Sequence, residues 1–79
     1  MSELNKLRWR CRRGALELDL LLVRYLENGF IAAAPAERQA FLLLLDCEDT
    51  DLMRYLMGES APRNAALADI VAKIRSLPA

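Results

Sequence analysis

Apolar residues recur along most of the chain at intervals of three and four, the spacing that places them on one face of an α-helix. Gly, Pro and short polar turns divide this pattern into five segments, and β-branched residues are too scarce to build strands. The pattern therefore predicts five helices, at about residues 3–12, 15–27, 35–46, 50–57 and 65–76.

The second segment has the widest apolar surface of the five. One stripe carries Leu16, Leu20, Val23 and Leu26, and beside it lie Leu18, Leu21 and Leu22. A helix that is apolar over most of its circumference is expected to be buried on several sides, so this helix is predicted to be the central one. The dipeptide Asn28-Gly29 is predicted to close it with a left-handed C-terminal cap.

Helix ends follow from residues with particular backbone preferences. Pro35 suits the first position of the third helix, but Ala34 before it is a poor cap. That start is therefore expected to fray or to shift by one residue. The remaining predicted caps and stops are Ser2, Asp49, Gly58, Asn64 and Pro78.

Composition narrows the fold class further. A chain of 79 residues supports one hydrophobic core, and a hydrophobic share of 54% indicates a packed protein rather than a disordered one. Together with the helical periodicity, these numbers predict an all-α protein, a compact five-helix bundle in a single domain.

Charge is balanced overall but unevenly placed along the chain. Eleven basic and eleven acidic residues give a net charge of zero. The basic group at the start contains Lys6, Arg8, Arg10, Arg12 and Arg13, whereas one later turn contains Asp46, Glu48, Asp49 and Asp51. Because affinity for nucleic acid comes mainly from phosphate neutralisation, the zero balance argues against a nucleic-acid partner.

Cysteine and histidine usage excludes several other classes. Cys11 and Cys47 form no CxxC pair and the chain has no histidine, so no metal site is expected. No stretch approaches the ~20 apolar residues of a membrane span, and the first residues contain no apolar signal region. The protein is therefore expected in the cytoplasm, with both thiols reduced.

The most informative stretch runs from residue 9 to residue 19. Two adjacent arginines, Arg12 and Arg13, precede Gly14 at the break between helices, and Glu17 and Asp19 follow in the first turns of the next helix. One interpretation is purely structural: the carboxylates favour the helix start, the arginines are solvated and the glycine supplies a positive φ.

The functional interpretation starts from the positions of these side chains. Glu17 and Asp19 point to nearly opposite sides of a helix, so they cannot form a general acid and base pair. If the helix continues through the glycine, Arg13 and Glu17 stand at i and i+4 and can pair beside an exposed backbone. Asp19 is then free to turn inward and to brace the first helix through Arg12 or Arg8.

The string CRRGALELD resembles the RGxxExD signature of the SdhE family. Trp9 and Cys11 also match positions common in that family, and the resemblance extends from about residue 6 to residue 75. Further matches are Phe41, Leu44, Leu45, Asp49, Asp51, Leu52, Leu56, Met57 and Pro62. The chain departs from the family pattern at Tyr55, where Trp is common, and in the apolar loop 32–35.

The resemblance implies a five-helix assembly factor of bacterial type that has no catalytic residues of its own. It implies a partner, the flavoprotein subunit of succinate dehydrogenase and of fumarate reductase, to which the factor promotes covalent FAD attachment. The linkage is understood to form between the flavoprotein's own histidine and FAD, so no cofactor is expected to stay on this chain. It also implies that Arg13, Gly14 and Glu17 lie near the flavin-linking site. The free protein is expected to be a monomer.

Trp9 has two possible roles. It is grouped with Arg8, Arg12, Arg13, Gly14, Glu17 and Asp19 as a candidate partner-binding residue, since Trp and Arg are enriched at interfaces. A single Trp in a small helical protein is nevertheless more often a core residue, and we expect it there, with Arg8 and Arg12 flanking the ring and facing the partner.

Two other functions fit the same composition. A helical interaction regulator, such as an antitoxin-like protein unrelated to flavin, would not require Arg13, Gly14 and Glu17 to act together. A helix-turn-helix DNA binder would use the basic first segment, but it would need a second basic helix, which the chain lacks.

Overall fold

The structure, a computed structural model, describes residues 3–77, and within that range the backbone forms five α-helices and no strand. The helices are α1 (Glu3–Cys11), α2 (Leu16–Tyr25), α3 (Pro35–Leu45), α4 (Asp49–Leu56) and α5 (Ala65–Ser76). The predicted all-α, five-helix class is confirmed. The predicted cap at Ser2 and the predicted stop at Pro78 lie outside the described residues.

Helix α2 lies at the centre of the bundle, as its wide apolar surface predicts. It contacts α1, α4 and α5, and the ring of its Tyr25 lies 4.7 Å from the ring of Phe41 on α3. The core around it consists of Cys11, Leu18, Leu22, Tyr25, Leu26, Phe30, Ala40, Phe41, Leu44, Leu45, Leu52, Leu56, Ile70, Val71 and Ile74. Burial of these side chains is the main favourable term that holds the five helices together.

The predicted stripe is buried only in its second half: Leu26 lies in the core and Val23 packs against it, but the other two residues of the stripe are exposed. Leu18, Leu22 and Tyr25 point into the core, whereas Leu16 and Leu20 are 74% and 54% exposed. Since α2 has leucines on nearly every side, periodicity alone does not determine which of them face the core. Packing against α4 and α5 decides it.

The prediction of a left-handed cap at Asn28-Gly29 is wrong. The helix continues instead as a π-helical turn, Leu26–Phe30, and the φ angle of Gly29 is not positive. A Cβ on Gly29 would lie 2.9 Å from the Cε1 atom of Tyr25. Glycine therefore stands here because the tyrosine ring approaches the backbone closely, and not because the turn needs a positive φ.

The other helix starts divide into confirmed and corrected predictions. Helix α3 begins at Pro35 without a side-chain cap, so the expected shift of its start does not occur. Asn64 caps α5 by accepting hydrogen bonds from the backbone N–H groups of Ala66 and Leu67. Asp49 is not the cap of α4: the helix begins at Asp49 itself, and its carboxylate accepts a hydrogen bond from Arg13 instead.

A polar contact joins α2, α3 and α5 through one side chain from each helix. Glu37 accepts hydrogen bonds from Lys73 Nζ and from the Tyr25 hydroxyl, both at 2.5 Å. The bond from Lys73, followed by the bond from Tyr25, lowers the pKa of Glu37 below its usual value of 4.5. Burial, with the bond to Glu37 second, raises the pKa of Tyr25, so the hydroxyl stays a donor at neutral pH.

This contact predicts part of the acid sensitivity of the fold. A carboxyl whose pKa is lowered in the folded state stabilises the protein above its unfolded pKa, and that contribution is lost as the pH falls through the folded value. Glu37→Gln is therefore expected to reduce the free energy of unfolding at about pH 6 more than at about pH 3. Urea titrations of both proteins test this, and a difference that does not change with pH would contradict it.

Candidate protein-docking site

The signature residues lie at the joint between α1 and α2. Helix α1 ends at Cys11, which is fully buried, and α2 begins at Leu16 after an extended Ala15. Gly14 has a φ of +87°, in the region that L residues rarely adopt, which agrees with the structural interpretation of this glycine. Because the helix does not continue through Gly14, the conditional pairing of Arg13 with Glu17 does not form.

Arg13 is turned inward and not solvated. Its Nε donates to Asp49 Oδ1 at 2.7 Å, while its Nη1 and Nη2 donate to the carbonyls of Leu45 and Cys47 at 2.7 and 2.6 Å. A longer bond, at 3.3 Å, joins Nη1 to the carbonyl of Arg10. The guanidinium thereby satisfies carbonyls at the C-terminus of α3, where helical partners are absent and a cation is favoured.

Asp19 fixes the backbone of the same joint. Its Oδ1 accepts a hydrogen bond of 2.6 Å from the backbone N–H of Arg13. The expectation that Asp19 braces α1 through the side chain of Arg12 or Arg8 is therefore wrong, although the carboxylate does turn toward the first segment. A carboxylate in the first turn of a helix is also favoured by the positive end of the helix dipole.

Gly14 and Glu17 remain open to solvent beside this rigid support. A Cβ placed on Gly14 would meet no atom within 4 Å, so the residue is open on its outer side. The exposed carboxylate of Glu17 makes no hydrogen bond or ion pair with any residue between 3 and 77. The space beside Gly14 and the carboxylate of Glu17 are therefore both available to a partner.

Trp9 is not a core residue. Its side chain is 72% exposed, and it borders a shallow surface groove of about 310 Å³ with Asn5, Arg8 and Arg12. The core side of α1 is taken by Leu4, Leu7 and Cys11, spaced three and four residues apart, and Trp9 lies outside that stripe. The expectation of a buried tryptophan is wrong, and Trp9 stands instead with the exposed candidate residues.

An ion pair between Arg8 Nη1 and Glu27 Oε2, at 2.7 Å, joins α1 to the π-helical turn that follows α2. On α2, Leu16 and Leu20 lie one turn apart and share the exposed side with Glu17. The helical spacing places these two leucines in the predicted buried stripe, so the sequence gives no signal that they lie on the surface. We call Arg8, Trp9, Arg12, Gly14, Leu16, Glu17 and Leu20 the α1–α2 face.

The two charged segments of the chain meet in the fold. Arg10 pairs with Asp46 at 2.5 Å and Arg13 pairs with Asp49 at 2.7 Å. The positive charge of the basic segment is therefore largely balanced by the acidic turn and by Glu27. Among residues 8–13, Arg12 is the arginine whose guanidinium pairs with no carboxylate of the described residues.

The thiols are poor nucleophiles at neutral pH. Burial raises the pKa of Cys11 to about 11, because desolvation disfavours the thiolate more than the nearby arginines favour it. Burial also raises the pKa of Cys47, and the carboxylates of Asp51 and Asp46 add to this effect. Since the thiolate is the reactive form, these two groups are suited to packing and not to covalent chemistry.

An open glycine, an unpaired carboxylate and exposed apolar side chains on a helical frame are features typical of the small helical proteins that bind another protein. The chain matches the family model described as flavinator of succinate dehydrogenase over residues 5–78. It belongs to that family.

The relatives are proteins of similar length. The chain is 53% identical to the FAD assembly factor SdhE of Xylella fastidiosa over 78 residues. These residues make up 99% of this chain and 80% of that protein. The FAD assembly factor SdhE of Methylococcus capsulatus is 47% identical over 77 residues, covering 98% and 93% of the two chains. The protein of the same name from Aliivibrio fischeri is 42% identical over 73 residues, covering 92% and 85%.

No helix within residues 3–77 is both long enough and apolar enough to cross a membrane.

Proposed function

We propose that this protein binds the flavoprotein subunit of succinate dehydrogenase and promotes the covalent attachment of FAD to that subunit. The names of the family and of the relatives support this function. The observation in the structure that carries it is the joint between α1 and α2, where Arg13 and Asp19 hold the backbone while Gly14 and Glu17 face outward.

The α1–α2 face is the proposed docking surface. Trp9, Leu16 and Leu20 supply apolar area, and aromatic and aliphatic anchors of this kind dominate many interfaces. Gly14 allows the backbone of a partner to approach without a side chain in between. Glu17 is placed to accept a hydrogen bond from the flavoprotein, where a charged bond shielded from water is stronger than one in solvent.

In this proposal the chain holds a conformation of the flavoprotein and donates no group to the reaction. FAD belongs to the flavoprotein, and the free chain is a cytoplasmic bacterial monomer that binds neither nucleic acid nor membrane. The flavoprotein of fumarate reductase is a second client of the same face. Titration of FAD with the isolated chain, followed by flavin fluorescence, is expected to give no saturable change.

The test of the function is covalent flavin in living cells. Flavin fluorescence of the denatured succinate dehydrogenase flavoprotein is compared in a gel between a strain lacking this protein and the same strain complemented with it. We expect the signal to be lost in the first strain and restored in the second. Equal fluorescence in both strains would remove flavinylation as the function.

Glu17→Gln tests the docking surface within that assay. If the carboxylate only favours the start of α2, its loss costs ~0.3–1 kcal/mol of stability and leaves the flavin signal unchanged. If it binds the flavoprotein through a charged hydrogen bond, affinity falls roughly ten- to hundredfold. We expect the second result, measured by titration of the purified flavoprotein and by covalent flavin.

Asp69→Asn is the matched control for that variant. Asp69 is an exposed carboxylate on α5, outside the α1–α2 face, so its conversion to an amide is expected to leave binding at the wild-type value. Equal affinity of the Glu17→Gln and Asp69→Asn proteins would show that Glu17 makes no contact with the flavoprotein.

A further inference from the structure

Arg13 has little capacity left for a partner. A guanidinium carries five N–H donors, and in this structure its three nitrogens donate to one carboxylate and three carbonyls. The side chain is only 18% exposed. The first residue of the signature therefore acts on the docking surface through the backbone that it holds, and not through its charge.

The charge of Arg13 is balanced by Asp49, which is 36 residues away in the sequence. Asp49 is the one carboxylate paired with this guanidinium among residues 3–77. It lies in the first turn of α4, where the helix dipole also favours a negative charge. Asp49 is not used as the cap of α4, because Glu48 occupies that position.

We infer that Asp49 is a positioning residue for the docking surface. Asp49 holds Arg13 against the end of α3 and thereby fixes the peptide that leads into Gly14. The position of that peptide in turn fixes how Gly14 and Glu17 are oriented toward a partner. A rigid surface binds more tightly because less conformational freedom is lost on binding. The inference rests on the proposed function for its effect on flavinylation, but the effect on the joint itself does not depend on it.

Asp46 provides a matched comparison in the same turn. It also pairs with an arginine of the first segment, Arg10, at a similar distance. That pair is exposed on both sides, and the guanidinium of Arg10 makes no other hydrogen bond within the described chain. The two variants Asp49→Ala and Asp46→Ala therefore each remove one carboxylate and one ion pair, but only the first one removes a support of the joint.

Four measurements on these variants test the inference. Amide hydrogen exchange of residues 13–15 and the Arg13 Nε–H signal in NMR report on the joint. Titration of the purified flavoprotein reports on docking, and thermal unfolding reports on the fold. For Asp49→Ala we expect faster exchange, loss of the Nε–H signal and roughly three- to tenfold weaker binding. For Asp46→Ala we expect wild-type values, and Asp49→Glu is expected to recover part of the loss.

The outcomes separate three explanations. Equal loss of binding in both variants, in proportion to their melting temperatures, would overturn the inference in favour of general stability. If the Asp49→Ala protein binds the flavoprotein as tightly as the wild type, and the wild type restores covalent flavin in cells, the inference is overturned and the proposed function stands. If wild-type protein does not restore covalent flavin, the proposed function fails, and the exchange data alone decide whether Asp49 holds the joint.

Discussion

Gly14→Arg is expected to abolish covalent flavin attachment while leaving the helical bundle folded. The φ angle of +87° costs an L residue about 1–2 kcal/mol, which a folded domain can absorb. Gly14 is exposed, and a Cβ placed on it meets no atom within 4 Å, so the new side chain has room to leave the backbone toward solvent. It would instead lie between the joint and a docked flavoprotein. Circular dichroism measures the fold, and flavin fluorescence in the complemented strain measures the activity.

Gly14→Ala is the control that separates strain from size. Alanine carries the same backbone penalty as arginine but adds only one methyl group, so both variants are expected to melt at similar temperatures. Flavin attachment should persist, at a reduced level, with alanine and disappear with arginine. Equal loss in both would mean that the backbone conformation matters and the close approach does not, and full activity of Gly14→Arg would place the contact elsewhere.

Arg13→Ala is expected to lower both stability and flavin attachment. The substitution leaves the carbonyls of Leu45 and Cys47 without their donor and leaves Asp49 without its counterion. An unsatisfied, partly buried carbonyl costs about 1–3 kcal/mol, whereas the half-exposed ion pair adds little. The free energy of unfolding, measured with urea, should therefore fall by about 1–3 kcal/mol, and binding to the flavoprotein should weaken with it.

Arg12→Ala is the matched control for stability. It removes the same side chain and the same charge one residue earlier, but Arg12 is exposed and its guanidinium makes no hydrogen bond or ion pair within residues 3–77. Its stability is expected to stay within about 0.5 kcal/mol of wild type. If the two variants were equally stable, the hydrogen bonds of Arg13 would contribute nothing to the fold.

Local patterns in the sequence were sufficient for the helices and for several of their ends. The end of α4 before Gly58, the cap at Asn64 and Pro35 as the first residue of α3 were predicted correctly, and the positive φ angle of Gly14 agrees with the structural interpretation of that residue. These features depend on a few neighbouring residues, whose backbone preferences are the same in any fold. The left-handed cap at Gly29 was wrong because a residue from the preceding turn, Tyr25, decided the conformation through close packing.

The candidate site was located from the sequence, but its internal arrangement was not. The family resemblance pointed to Arg13, Gly14 and Glu17, and family membership is confirmed. Charge spacing suggested that Arg13 pairs with Glu17, since both are close in sequence. In the fold Arg13 pairs with Asp49 instead, because the break at Gly14 turns the arginine toward the end of α3.

By itself, the sequence determined the helical class, the number of helices, the cap at Asn64 and the family, because each of these follows from local spacing or from a contiguous signature. Only the tertiary structure decided which leucines of α2 face the core, that Trp9 is exposed and that Asp49 supports the joint. Those outcomes depend on which helices pack against α1 and α2. An apolar or charged side chain has several possible partners in the sequence, and packing in three dimensions selects one of them.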